Sequence, residues 1–107
     1  MADAVTPLMP REASAALERL IEIARGDSGQ CRYVANFLLA WWNAPELGGF
    51  DFTEAWGVDD AVREDMATVF GFIVRNRNYS NSYGLRPEFE DIVRLWRSHV
   101  LATEGQP

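Results

Sequence analysis

The sequence predicts an all-α fold, a compact bundle of four main helices plus one short helical turn, built as a single domain of 107 residues. Three observations carry that prediction. Apolar residues recur three and four apart in four separate segments. No segment alternates with period two over a useful length, and no internal repeat or low-complexity tract is present. The stretches between the segments hold the Gly, Pro, Asn and Ser residues that end helices and form turns.

The first helix is predicted over about residues 10–25, after a weakly patterned and mobile leader at 1–9. Pro10 suits a first helical position, Ala13, Leu17, Leu20, Ile21 and Ala24 share a face, and Gly26 is a stop. The second runs over about 28–43. Asp27 and Gln30 resemble a capping box, Cys31, Val34, Phe37, Leu38, Trp41 and Trp42 form the apolar stripe, and Asn43 and Pro45 end it. Ala35 and Leu39 widen that stripe, so this helix is expected to be central. The connector that follows carries Gly48-Gly49, yet Phe50, Phe52 and Trp56 are too apolar for a free loop. They are expected to fold it back onto the core, with a helical turn near 53–56.

Asp59 is a plausible cap for a third helix over about 59–75. Val62, Met66, Val69, Phe70, Ile73 and Val74 make its predicted inward stripe, and Asp60 and Glu64 give it an acidic start that the helix dipole favours. Arg86-Pro87 opens the fourth helix, over about 87–101, with Phe89, Ile92, Val93, Trp96 and Val100 facing inward. Its acids Glu88, Glu90 and Asp91 lie early and Arg94, Arg97 and His99 late, as the dipole prefers. Residues 102–107 read as a frayed tail.

Composition removes several function classes. The formal net charge is -6, all ten cations are arginine, and lysine is absent. Schiff-base lysines, P-loop lysines and lysine general bases are therefore impossible. Acidity also weakens general affinity for nucleic acid or anionic membranes, since phosphate binding needs distributed cations. The longest apolar run, Phe37 to Trp42, is far too short for a membrane span. One cysteine and no signal-peptide pattern predict a cytoplasmic protein without an internal disulfide.

The chemical inventory is thin. With Cys31 and His99 far apart, no metal or cofactor is expected. Cys31 falls on an apolar face and reads as a structural thiol, and His99 reads as a dipole-facing helix end. Among Asp59, Asp60, Glu64 and Asp65, the pair Asp60 and Glu64 shares a helical face, but a solvated helix start explains it better than acid–base or Mg chemistry. No catalytic residues are assigned.

Charge is nevertheless segregated. From Met66 to Pro87 there are three arginines and no Asp or Glu, and the core of that stretch is Arg75-Asn76-Arg77-Asn78-Tyr79-Ser80-Asn81-Ser82-Tyr83-Gly84. Arginine and tyrosine are enriched at protein interface hot spots, so Arg75, Arg77, Asn78, Tyr79, Tyr83 and Arg86 are candidate partner-binding residues. The same mixture serves single-stranded nucleic acid, with arginines on phosphates and tyrosines stacked on bases. The plain structural alternative is a helix end followed by a turn whose tyrosines cover the bundle. Adjacent Trp41 and Trp42 point about 100° apart on a helix, so Trp42 and, in the connector, Trp56 are further candidate anchors.

The block Gly29-Gln30-Cys31-Arg32-Tyr33-Val34-Ala35-Asn36-Phe37-Leu38-Leu39-Ala40-Trp41-Trp42-Asn43-Ala44, with Gly48-Gly49-Phe50-Asp51, Val69 to Ile73 and Arg75-Asn76-Arg77, resembles a small proteobacterial family of uncharacterised proteins. That family is frequent on plasmids, integrative elements and prophages, and the likeness covers about Gly26 to Trp96. It carries no reaction or catalytic residue to transfer. The resemblance implies an accessory protein of a bacterial mobile element. The resulting expectation is a non-enzymatic protein-binding protein, in the manner of an anti-CRISPR inhibitor of a host defence complex, acting as monomer or homodimer. Its contact surface would be either the Arg75–Tyr83 loop or the acidic start at Asp60 and Glu64, a possible mimic of nucleic-acid charge. The alternative is a nucleic-acid-binding regulator using the loop.

Overall fold

The computed structural model describes residues 8–98, and the regular structure there is all helical, with no strand among the described residues. Four α-helices, α1 (Arg11–Ala24), α2 (Gly29–Leu47), α3 (Asp60–Arg75) and α4 (Arg86–Trp96), are joined by two 3-10 helices, Phe52–Gly57 and Ser80–Tyr83. The predicted four-helix, all-α architecture holds. Of the expected mobile ends, residues 1–7 and 102–107 lie outside the described residues, as do the inward Val100 and dipole-facing His99; Leu8 is exposed, whereas Met9 packs against the core.

Helix α1 begins after Pro10, whose carbonyl accepts from the Ser14 N–H at 2.9 Å, and buries Ala13, Ala16, Leu17, Leu20, Ile21 and Ala24. It lies along α3 and α2 and also meets α4. The central place expected of α2 is thus shared with α1. At the α1–α2 junction Gly26 packs tightly: a Cβ there would stand 2.5 Å from Cys31 Sγ and force that thiol to move.

Two boundary readings change. The expected Asp27/Gln30 capping box does not form: Ser28 caps α2 by accepting from the Cys31 N–H at 3.3 Å, while Gln30 Oε1 accepts from the backbone N–H of Asp59 at 2.6 Å. Ser28 already has the extended backbone a cap needs, which frees Gln30 to hold the start of α3. Asp59 occupies the α3 cap position but makes no side-chain cap bond. Helix α2 does break at Asn43, with φ -164° and ψ 78°, as the following Pro45 demands, but it restarts for a turn to Leu47. Asn43 Oδ1 caps that last turn by accepting from Glu46 N–H, and Gly48, at φ 101°, ends it.

Helix α4 is interrupted at Arg97, which leaves the helical region with φ -138° and ψ 40°; Ser98 is helical again, and the expected end near 101 lies outside the described residues. The Arg97 guanidinium explains the departure. It donates to the Leu47 carbonyl at 2.8 Å and to Asn36 Oδ1 at 2.6 Å, and Asn36 in turn donates to Glu54 Oε1 at 3.1 Å. Arg97 therefore ties the end of α4 to α2 and, through Asn36, to the connector, instead of facing its own helix dipole.

The inward face of α3 is rotated from its predicted position. Val62, Met66, Val69 and Phe72 are buried, whereas Phe70 and Val74 are exposed. Helix α1, which α3 packs against, covers only one side of the wide apolar arc, and Phe70 and Val74 fall outside it. Long-range polar ties fix the helices around the core. Arg19 on α1 forms a two-bond pair with Asp65 on α3, and Arg25 reaches Asp91 on α4. The Trp96 indole caps the end of α1 by donating to the Ala24 carbonyl at 2.8 Å.

Candidate functional site

The Arg75–Gly84 segment leaves α3 through a set of side-chain caps. Arg75 donates to the Gly71 carbonyl at 3.1 Å and Asn76 Nδ2 to the Phe72 carbonyl at 2.9 Å, so both satisfy the last carbonyls of their own helix. Asn78 is fixed twice. Its carbonyl accepts from the Trp41 indole at 3.0 Å, and its amide donates to the Tyr83 hydroxyl at 3.1 Å. The Tyr83 ring turns inward, 6.3 Å from Trp41 and 5.5 Å from Phe72 between ring centres. Gly84, at φ 74°, supplies the left-handed turn into α4, where Arg86 pairs with Glu90 at 2.9 Å.

Seen residue by residue, the predicted loop site divides. Arg75, Asn78, Tyr83 and Arg86 spend polar groups within the fold. Arg77 and Tyr79 remain outward, with Tyr79 67% exposed and Arg77 making no ion pair among the described residues. Tyr79 stands between two concavities that share Trp41 as a wall. One, of about 580 Å³, is bounded by Trp41, Trp42, Pro45, Tyr79, Asn81 and Ser82; the other, of about 290 Å³, by Trp41, Ile73, Asn76, Arg77, Asn78 and Tyr79. Trp42 is half-buried, its ring edge-on to Phe89 at 5.8 Å, with part of it open to the larger concavity. The arrangement offers an aromatic ridge with a mainly apolar hollow on the Ile73 side, a mixed polar and apolar one on the Asn81 and Ser82 side, and one cation at its edge. Beneath it Ser80 is fully buried, and its hydroxyl has no hydrogen-bond partner among the described residues. Sequence reading did not single out Ser80; only its position beside the inward turn of Tyr83 reveals it.

The connector is the second aromatic region. Asp51 caps its 3-10 helix, accepting from the Thr53 N–H at 2.9 Å and the Thr53 hydroxyl at 2.8 Å, and those two bonds hold the Asp51 carboxyl below its ordinary pKa. Phe50 folds back onto Phe37, 5.3 Å between ring centres, as expected. Phe52 and Trp56 do not: they are 73% and 77% exposed. Between α2, the connector and α3 lies an apolar groove of about 290 Å³ lined by Phe37, Phe50, Phe52, Met66, Ala67 and Phe70.

The acidic start of α3 stays in solvent. Asp60 pairs with Arg63 at 2.7 Å and is 97% exposed; Glu64 is exposed beside it; Asp65 turns the other way to Arg19. Arg63 also donates to the Ala55 and Val58 carbonyls, which joins the connector to α3. The Asp65 pairing holds the Arg19 guanidinium above its ordinary pKa, chiefly through the hydrogen bond. Cys31 is half-buried, accepting from the Ser28 hydroxyl at 3.1 Å, rather than fully buried as expected. Among the described residues no group of three or more His, Cys, Asp or Glu side chains converges as a metal site, and no helix is long and apolar enough to cross a membrane.

No curated protein and no solved structure matches the chain. One family model does, over residues 14–97, so its match begins inside α1, earlier than the Gly26 start of the resemblance. It takes in both aromatic regions and ends at the Arg97 tie. The chain belongs to that family, described as a family of unknown function, DUF7673.

Proposed function

We propose that this protein is a non-enzymatic binding protein that engages a protein partner through the Tyr79 ridge. One observation carries the reading: Tyr79 is 67% exposed between two hollows walled by Trp41, on a backbone held by Asn78. An exposed aromatic on a fixed backbone, with a mainly apolar hollow on one side and polar groups on the other, is the arrangement that interface hot spots use, and anchoring it beforehand lowers the ordering cost of binding. Arg77 selects for an acidic side chain on the partner. In its setting the protein is a cytoplasmic accessory factor of a bacterial mobile element that acts on a host defence complex, a reading supported by the resemblance in the Gly29–Ala44 block. The acidic start at Asp60 and Glu64 is the weaker surface for this role, because Asp60 is already paired with Arg63.

The test compares wild-type protein with Tyr79→Ala/Arg77→Ala as affinity bait in host lysate, followed by titration of the purified captured protein. A partner that binds wild type and loses at least tenfold affinity for the variant supports the ridge. Equal retention by both baits overturns it. A nucleic-acid partner is the alternative favoured by the acid-free stretch from Met66 to Pro87. Fluorescence anisotropy with single- and double-stranded oligonucleotides at low salt separates the two, since phosphate binding is strongest there.

A further inference from the structure

Helix α3 carries a second apolar stripe that its own fold leaves uncovered. Ala67, Phe70, Gly71 and Val74 follow the i, i+3, i+4, i+7 spacing of a packing face, turned away from the buried Val62, Met66 and Val69. Phe70 is 47% and Val74 59% exposed. The adjoining connector extends the surface: a ladder of rings runs outward from buried Phe37 to Phe50, to Phe52 and across to Phe70, each step 5.3 to 6.5 Å between centres. The ladder ends in solvent. Ala67 is small enough for another helix to approach closely, while the Arg75 guanidinium folds back over Gly71 to its carbonyl.

The charges that flank this stripe decide what fits it. Glu64 lies near the start of α3 beside the Asp60–Arg63 pair, which is already neutralised, and Arg75 lies at its end. A helix with an acid at one end and a cation at the other is complementary to itself when reversed. The midpoint between Glu64 and Arg75 falls at Val69–Phe70, and the two residues are about 16 Å apart along the axis at 1.5 Å per residue. Laid antiparallel across a two-fold axis near Phe70, two copies of α3 bring Glu64 of each against Arg75 of the other. Phe70 then meets its own copy, and Ala67 of each chain lies about 3 Å along the axis from the level of the other chain's Val74. A parallel arrangement instead sets Glu64 against Glu64 and Arg75 against Arg75.

We propose that the chain self-associates through the outer stripe of α3 as an antiparallel, two-fold dimer. The face is one helix wide plus the connector rings, so the dimer is weak, with Kd on the order of 10–100 µM. The surface is separate from the Tyr79 ridge, and its loss leaves partner binding there intact.

Sedimentation equilibrium of the full chain from about 5 µM to 1 mM tests this. Wild type is expected to pass from monomer to dimer across that range, and Phe70→Glu to remain monomeric with an unchanged far-UV circular dichroism spectrum. Glu64→Arg alone and Arg75→Glu alone each set like charges together and are expected to weaken association at least tenfold. An equimolar mixture of those two variants restores opposite pairs at both ends and is expected to form heterodimers at least as tightly as wild type. A monomer at 1 mM, or a dimer insensitive to Phe70→Glu, overturns the proposal. Failure of the mixture to associate more tightly than either variant overturns the antiparallel arrangement.

Discussion

The two aromatic regions of this bundle use the same side chains to opposite ends. On the α4 side Phe89 is fully buried, edge-on to both Trp41 and Trp42 at 5.9 and 5.8 Å. On the connector side Phe52 and Phe70 pair edge-on at 6.5 Å, yet both are exposed. Ring pairing is therefore not what separates core from surface. The difference is the lid: α4 is a full helix that packs on α2, whereas the connector offers only a six-residue 3-10 helix whose far rings no other described element covers.

The contrast predicts where truncation hurts. Phe89→Ala should cost about 3–5 kcal/mol, because the residue is completely enclosed and two indoles cannot collapse into the gap. Phe52→Ala should change stability by less than about 0.5 kcal/mol, as surface positions do. Urea denaturation of both measures the gap directly. Comparable losses would mean that the connector rings are covered in solution and that the contrast is false.

The lid on the α4 side is held at its end by Arg97. Arg97→Ala leaves the Leu47 carbonyl and Asn36 Oδ1 without their donor and should cost about 1–3 kcal/mol, the penalty for stranding partly buried acceptors. Native-state hydrogen exchange should show the added opening in the Gly48–Gly57 stretch first, because Asn36 also holds Glu54. Uniform acceleration across all helices would instead assign Arg97 a general packing role.

These regions were unequally legible in the sequence. The four helices and the break at Asn43 follow from periodicity, Gly and Pro, which are local signals. The face of α3 does not, since Val62, Met66, Val69, Phe70, Ile73 and Val74 form one broad apolar arc, and only the placement of α1 decides which edge of it is covered. Tyr79 and Tyr83 are one turn apart and look alike as letters. The bond from Asn78 to the Tyr83 hydroxyl turns one inward and leaves the other out. Gln30 and Arg97 reach partners 29 and 61 residues away, distances at which side-chain spacing carries no information.

Ser80 sharpens the comparison within the loop itself. Its hydroxyl is buried and unpartnered among the described residues, an arrangement that costs stability. Ser80→Ala keeps the packing and removes the stranded group, so it should stabilise the fold by about 1 kcal/mol, read as a rise in Tm. A fall in Tm would show that a hidden partner or water satisfies the hydroxyl.

The smallest effect concerns how the connector stays folded without a lid. The Asp51 carboxyl accepts both Thr53 donors more strongly when ionised, and its folded pKa is lowered by them. The sign follows: the cap stabilises the 3-10 helix above the unfolded value of about 3.9 and is lost as pH falls through the lower folded value. Because Asp51 is open to solvent, the global stability change should be slight. The local one is measurable, as a titration of the Thr53 amide resonance with its midpoint below about 3.9. If the midpoint sits at or above that value, the cap does not hold in solution. The exposed rings of the connector would then rest on the Phe50–Phe37 contact and on the Asn36 and Arg63 bonds alone.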